Sequence, residues 1–267
     1  MFNHWGHASS SRVSLGKHVV LDQNMEYAPY FDVSGWNWNL KNPNVLALHK
    51  KIREELIELC GDGEYFHIGC DEAYGALTTE ACLDAISYIN RVADELKSKN
   101  RKVLMWGDML LCHQTLNKQT NNTYACLCET PEAQSVLLSA LSKNIIIADW
   151  QYDATVYPLE TSIFFQEHGF QVLSCPWHNL ANTRIVAKTA IQHNFIGIMH
   201  TTWHTLSTGI GAVVSSAVAA WGNDAWNWDA NYGFTRAYLA SILRKLANPN
   251  GVYENAGWSE KQTQDYL

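Results

Sequence analysis

Apolar positions fall into two rhythms along the chain. From Pro43 to about Cys60 they recur three and four residues apart, at Val45, Leu48, Ile52, Leu56 and Leu59. Asn42 stands where a cap is needed, Pro43 suits a first turn, and Gly61 and Gly63 follow the last apolar position, so a helix is predicted over 43–60. A second helix is predicted from Thr79 to about Lys99, with Ala81, Leu83, Ile86, Ile89, Val92, Ala93 and Leu96 largely on one face. The other rhythm is the short unbroken apolar run that suits a buried strand: Tyr65-Phe66 with Ile68, then 103–106, 145–148, 170–173 and 195–199. Helical candidates lie between these runs at about 131–143, 158–168 and 180–193, and further ones at 208–221 and 234–247. Alternation of this kind predicts a parallel sheet.

The predicted fold class is α/β, a (β/α)8 barrel of the TIM type. No internal repeat beyond the strand–helix beat and no linker divides the chain, so 1–267 reads as one domain, with 222–267 as a C-terminal loop and helices packed on the barrel. About six strands can be counted, including a stub before His4, where a closed barrel has eight. The barrel is therefore expected to be incomplete at its N-terminal side. An open barrel exposes strand edges, which implies self-association. Residues 16–42 read as an aromatic loop with no structure of its own; a loop of that length is usually functional. Trp36 and Trp38 within it either rim a pocket or pack a lid onto the barrel.

The chemistry centres on residues 64–74. Gly69 permits a turn after the strand, and Asp71 and Glu72 then arrive side by side at its carboxyl end. Two adjacent acids repel and resist burial, so such a site usually has a chemical use. In a β/α barrel that end of the strand is where catalysis sits. The plainer alternative is that one of the two caps the next helix.

Composition narrows the picture. Net charge is −7, which argues against a nucleic-acid partner. No apolar stretch reaches the ~18 residues a membrane span needs. No secretory signal is visible at Met1, and the seven cysteines are an odd, scattered set. These favour a cytoplasmic location, with secretion the alternative if an upstream signal has been lost. Cys126 and Cys128 are too close in sequence for a zinc framework. The chain holds 11 tryptophans, and Trp106, Trp150, Trp177 and Trp203 each fall just past an apolar run. They are expected at one mouth of the barrel, as an aromatic cup around Asp71 and Glu72; pyranose rings stack on such walls.

His67, Gly69, Asp71 and Glu72 stand as His-x-Gly-x-Asp-Glu, a pattern that resembles the catalytic strand of glycoside hydrolase family 20, the β-N-acetylhexosaminidases. Gly6-His7-Ala8 is similar to the family's Pro-Gly-His-Ala/Ser loop after its third strand, with Trp5 where proline is usual. The resemblance covers nearly the whole chain but begins at that third strand. It implies that Glu72 is general acid and then base, with its pKa raised by the apolar cup, and that Asp71 stays ionised and orients the substrate's acetamido group. It implies further that His7 contacts the catalytic Glu and a further acid; the plainer alternative for His7 is a loop histidine bonded to backbone. Trp106, Asp108, Trp150, Tyr152, Trp177, Asn179 and Trp203 are the implied substrate contacts. Trp177 and Asn179 stand where the family has Tyr and Asp, with Tyr152 as the replacement hydroxyl. Trp203-His204-Thr205 stands where the family has Trp-x-Glu. The implied substrate is an oligosaccharide or glycoconjugate with terminal β-linked N-acetylhexosamine, and neither metal nor cofactor is implied.

Two other classes stay open. One is a sugar-binding remnant that keeps the aromatic cup without turnover. The other is a metal-dependent barrel hydrolase using His4, His7, His67, Asp71 and His200, which lacks a ligand set with convincing spacing.

Overall fold

The computed structural model describes residues 1–9, 24–74, 78–116, 120–203 and 206–221, and parts of 239–246. The helix predicted over 234–247 and the rest of 222–267 lie mostly outside these. The elements alternate as the hydrophobic pattern requires: α1 (Pro43–Cys60), β1 (Tyr65–His67), α2 (Thr79–Ser98), β2 (Lys102–Trp106), α3 (Pro131–Ala140), β3 (Ile145–Trp150), α4 (Glu160–Glu167), β4 (Val172–Cys175), α5 (Leu180–Gln192), β5 (Gly197–Ile198) and α6 (Leu206–Trp221). Sheet order follows chain order, β1-β2-β3-β4-β5. This is an α/β fold of the incomplete (β/α)8 type, with five strands among the described residues.

The chain divides into two compact units. The first is 1–117 with 125–149 and 164–172; the second is 118–124 with 150–163 and 173–267.

In the first unit β1 pairs with β2 from Tyr65↔Lys102 to His67↔Leu104, and β2 with β3 from Val103↔Ile145 to Trp106↔Ala148, both in parallel. Val103 to Trp106 and Ile145 to Ala148 are buried without alternation, as befits strands covered on both faces. Tyr65 departs from the buried strand expected there, at 45% exposure, because β1 begins where the sheet meets solvent. α2 starts on a cap, the Thr78 side chain accepting from Ala81 N, and buries Ile86, Ile89, Val92 and Leu96.

α1 starts and stops where expected: Asn42 accepts from Asn44 N, Pro43 fills the first turn and Gly61 ends it at φ 63°. Its buried face differs. It is Val45, His49 and Arg53, four residues apart, whereas Leu59 is exposed. A hydrogen-bonded network allows this. His49 Nδ1 lies 2.9 Å from the Tyr88 hydroxyl, Arg53 donates to Tyr88 at 3.2 Å and to Glu95 at 2.6 Å, and another Arg53 nitrogen lies 3.3 Å from His4 Nε2. Burying an ion needs this kind of pairing.

The opening segment is not a strand. Phe2 N donates to His67 O and His4 N to Ile68 O, so two residues on one side meet one on the other and no regular ladder forms. The aromatic loop has structure of its own: a 3-10 helix at Met25–Tyr30 and an antiparallel bridge between Phe31 and Trp38.

In the second unit β4 pairs with β5 in parallel, Leu173↔Gly197 and Ser174↔Ile198. The strand expected at 195–199 is shortened at its start because Phe195 N closes the end of α5 by donating to Ala190 O. The same happens at 170–173 in the first unit: Phe170 N donates to Phe165 O, and β4 begins two residues later.

Tyr88→Phe should destabilise the protein by about 1–3 kcal/mol, since it leaves His49 and Arg53 short of a buried partner. Urea unfolding of the variant beside the wild type measures this, and an unchanged midpoint would mean that the Tyr88 hydroxyl holds nothing.

Candidate functional site

The site of the first unit forms where β1 runs out. After buried Ile68 the chain enters the left-handed region three times, at Gly69 (φ 69°), Cys70 (φ 76°) and Glu72 (φ 48°). Residues other than glycine resist that region, at roughly 1–3 kcal/mol each, and hold it only where their surroundings enforce it. Four contacts do so. Asn3 Oδ1 accepts from Cys70 N at 2.9 Å, and Trp106 N donates to Gly69 O at 3.0 Å. Asp108 Oδ2 accepts from Glu72 N at 2.8 Å, and Trp36 Nε1 donates to Glu72 O at 2.6 Å.

The His7 loop lies directly on this turn. A Cβ on Gly6 would fall 2.2 Å from the Asp71 carbonyl oxygen, so only glycine permits the approach. His7 itself has φ 53° and brings Nε2 to 3.3 Å from Asp71 Oδ2 and 3.2 Å from Glu72 Oε2. Its ring centre lies 4.6 Å from that of Trp36, which in turn lies 5.9 Å from Tyr74. Burial works against a charged ring here. The hydrogen bonds to Asp71 and Glu72, with their charges, outweigh it and raise the His7 pKa from 6.5 to about 9. His7 is therefore an imidazolium at neutral pH, set between two carboxylates. Asp71 is buried, and the Glu72 side chain keeps about a quarter of its surface in solvent, 24%.

The neighbouring histidines behave oppositely. Burial, and then the Arg53 charge, hold His4 down at about 3. Its Nδ1 faces the Phe2 and Ile68 carbonyls, so the ring proton sits there and Nε2 faces Arg53. Burial likewise holds His67 at about 3; its Nδ1 accepts from Gly69 N at 3.0 Å and its ring lies 4.3 Å from that of Trp106. Among the described residues no group of three or more His, Cys, Asp or Glu side chains is placed to hold a metal ion.

Of the positions singled out in sequence, the first unit thus gathers His7, Asp71, Glu72 and Asp108, with Trp106 joined to them through Gly69. Asp108 is fully buried and serves the turn through Glu72 N. The second unit holds an aromatic cluster of its own. Ring centres lie 5.3 Å apart for Trp150 and Tyr152 and 5.4 Å apart for Tyr152 and Trp177, and Trp203 Nε1 donates to the Tyr152 hydroxyl at 2.8 Å. Asn179 caps α5, its side chain accepting from Ala181 N and Asn182 N. Sequence reasoning missed Asn3 and Tyr74. Asn3 carries no local signal for the site, because the partners that place it there, Cys70 and Asp71, are 67 and 68 residues away.

Fold and site together define a β/α-barrel protein with a histidine-bridged carboxylate pair at a strand's carboxyl end. No protein-family model matches the sequence, and no curated protein does. Among solved structures the chain is similar to a β-N-acetylhexosaminidase from Bacteroides fragilis, with TM-score 0.51 and 14% identity over 90% of this chain and 52% of that one. The chain thus spans about half the length of that structure, and the likeness is one of fold. Weaker likenesses are to the tandem family 20 catalytic modules of the pneumococcal exo-β-D-N-acetylglucosaminidase StrH (TM-score 0.39, 14% identity, 68% and 44% covered) and to a glycoside hydrolase family 20 β-N-acetylglucosaminidase (0.43, 15%, 70% and 41%).

Stability should have two pH limbs. His4, His49 and His67 have folded pKa values of about 3, 2 and 3, below the ordinary 6.5. Their neutral forms are favoured by folding, so that contribution is whole above pH 6.5 and is lost as pH falls from there through 3. His7 is raised, so its contribution is whole below pH 6.5 and is lost as pH rises through about 9. Urea midpoints across pH should peak near 6.5, and His7→Ala should erase the alkaline limb alone. An alkaline limb that survives in His7→Ala would contradict the assignment.

Proposed function

We propose that the protein is a glycoside hydrolase that removes terminal β-linked N-acetylhexosamine by a substrate-assisted, retaining route. The observation that carries this reading is the His7 bridge. It draws two consecutive carboxylates to one nitrogen at the end of a barrel strand, on a backbone strained into position. In the first step the substrate's acetamido oxygen attacks the anomeric carbon while the bond to the leaving oxygen breaks. Glu72 gives its proton to that oxygen, and the sugar becomes an oxazolinium ion. Asp71 accepts from the acetamido N–H and faces the positive charge as it grows. In the second step water attacks the anomeric carbon and gives a proton to Glu72, and the acetamido group reforms. No metal or cofactor enters.

Adjacent residues suit these two roles, since successive side chains leave the backbone in different directions and can meet different parts of one sugar. The aromatic cluster of the second unit supports a sugar substrate. Within it, Trp203 Nε1 donates to the Tyr152 hydroxyl and holds the two rings together.

The test is release of 4-nitrophenol from its N-acetyl-β-glucosaminide and N-acetyl-β-galactosaminide. Wild-type turnover that Glu72→Gln lowers about 100-fold or more supports the reading, the usual scale for losing a general acid. Sugar binding without turnover in either protein would overturn it in favour of a binding module.

A further inference from the structure

Asn3 stands outside every motif, yet it touches the centre of the site. Its Oδ1 accepts from two backbone groups, Cys70 N at 2.9 Å and Trp5 N at 3.1 Å. Those two donors settle which end of the amide is oxygen. The Nδ2 end is left facing Asp71 Oδ1, 2.6 Å away. The other Asp71 oxygen faces His7 Nε2. Asp71 is therefore met by a donor on each oxygen, and the plane of its carboxylate is fixed from both sides. One amide thus ties three things together: the left-handed turn at Cys70, the start of the His7 loop at Trp5, and the acid itself.

We propose that Asn3 is the positioning residue for Asp71, holding the carboxylate in the one orientation from which it can accept the substrate's acetamido N–H. This rests on the reading of Asp71 and Glu72 as the reacting pair. A carboxamide suits the task because it presents an acceptor to the backbone and a donor to the acid at every pH at which the protein is folded. Among the described residues, the charged groups placed against Asp71 are His7 and, across the same nitrogen, Glu72.

The test uses the full chain and two substitutions. Asn3→Asp keeps an oxygen for Cys70 N and Trp5 N but puts a second carboxylate against Asp71. The two acids can share a proton at low pH and repel once it leaves. The expected result is kcat near wild type at the acid end of the profile and a fall of about 10-fold or more relative to wild type as pH rises, on a limb additional to the wild type's own, with KM changed less than kcat. Asn3→Ser keeps an acceptor for the backbone but does not reach Asp71; it should lose kcat at every pH, with no new limb. A structural role alone would lower kcat only in proportion to the folded fraction, measured by circular dichroism, and leave both profiles shaped like the wild type; that overturns the proposal while the hydrolase reading stands. If Asn3→Asp does not fold, Asn3→Ser decides by the same comparison of kcat with folded fraction. Wild-type silence on both substrates overturns the hydrolase reading and this proposal with it.

Discussion

At Gly6 the backbone lies so near the turn after β1 that a Cβ would fall 2.2 Å from the Asp71 carbonyl oxygen. The same two stretches meet again at Gly69, where a Cβ would fall 2.7 Å from Asn3 Cα. Two segments more than sixty residues apart in sequence are in backbone contact, and neither glycine can take a side chain without moving a main chain. The rest of the site depends on this approach. It puts His7 between the two acids, brings Asn3 to Cys70 and Asp71, and lets Trp36 reach the Glu72 carbonyl. The strained dihedrals of His7, Cys70 and Glu72 are the local consequence, and they sit at the contact itself. Strain of this kind persists where hydrogen bonds over-determine the backbone.

The acids are stabilised less by distance from each other than by what faces them. Consecutive carboxylates repel unless donors converge on them. Here the donors are a charged imidazole and an amide, while a buried Asp108 accepts from Glu72 N and fixes the backbone beside them. A wholly apolar surround would favour protonated acids and a wholly polar one would leave both ionised. This surround treats the two differently: Asp71 is buried with a donor on each oxygen, whereas Glu72 shares the imidazole and keeps part of its surface in solvent. Unequal surroundings for two acids suit the division proposed for them, between orienting group and proton donor.

Much of the framework was legible in the sequence. Caps and apolar spacing placed α1, α2 and α5 to within a residue or two, and unbroken apolar runs marked β2 and β3. Those signals are local, so one chain suffices to read them. Where the reading slipped, the deciding contact was not local. The buried face of α1 was misplaced because His49 and Arg53 look like solvent-facing residues until Tyr88 and Glu95 are known to lie opposite. The first residues of two apolar runs, Phe170 and Phe195, close helices instead of opening strands, a choice made by hydrogen bonds to Phe165 and Ala190. Asp71, Glu72 and His7 could be picked out as candidates because acids and histidines announce chemistry. Asn3 could not, because an asparagine in an opening segment says nothing about a carboxylate 68 residues on.

The histidines show how far residue type falls short of chemistry. His4 and His7 are three residues apart on one segment, yet one is held neutral and the other charged at neutral pH. Both resist charge through burial. The difference is the sign of the neighbour: a guanidinium beside His4, two carboxylates beside His7. His67, on the strand itself, is driven toward the neutral form by burial first, and then by the positive N-terminus and His4. The segment that carries His4 and His7 therefore fastens to β1 by a neutral, buried contact at one end and an ionic one at the other. Acid weakens the first and alkali the second, so the loop that bridges the acids is held at both ends only in the window between.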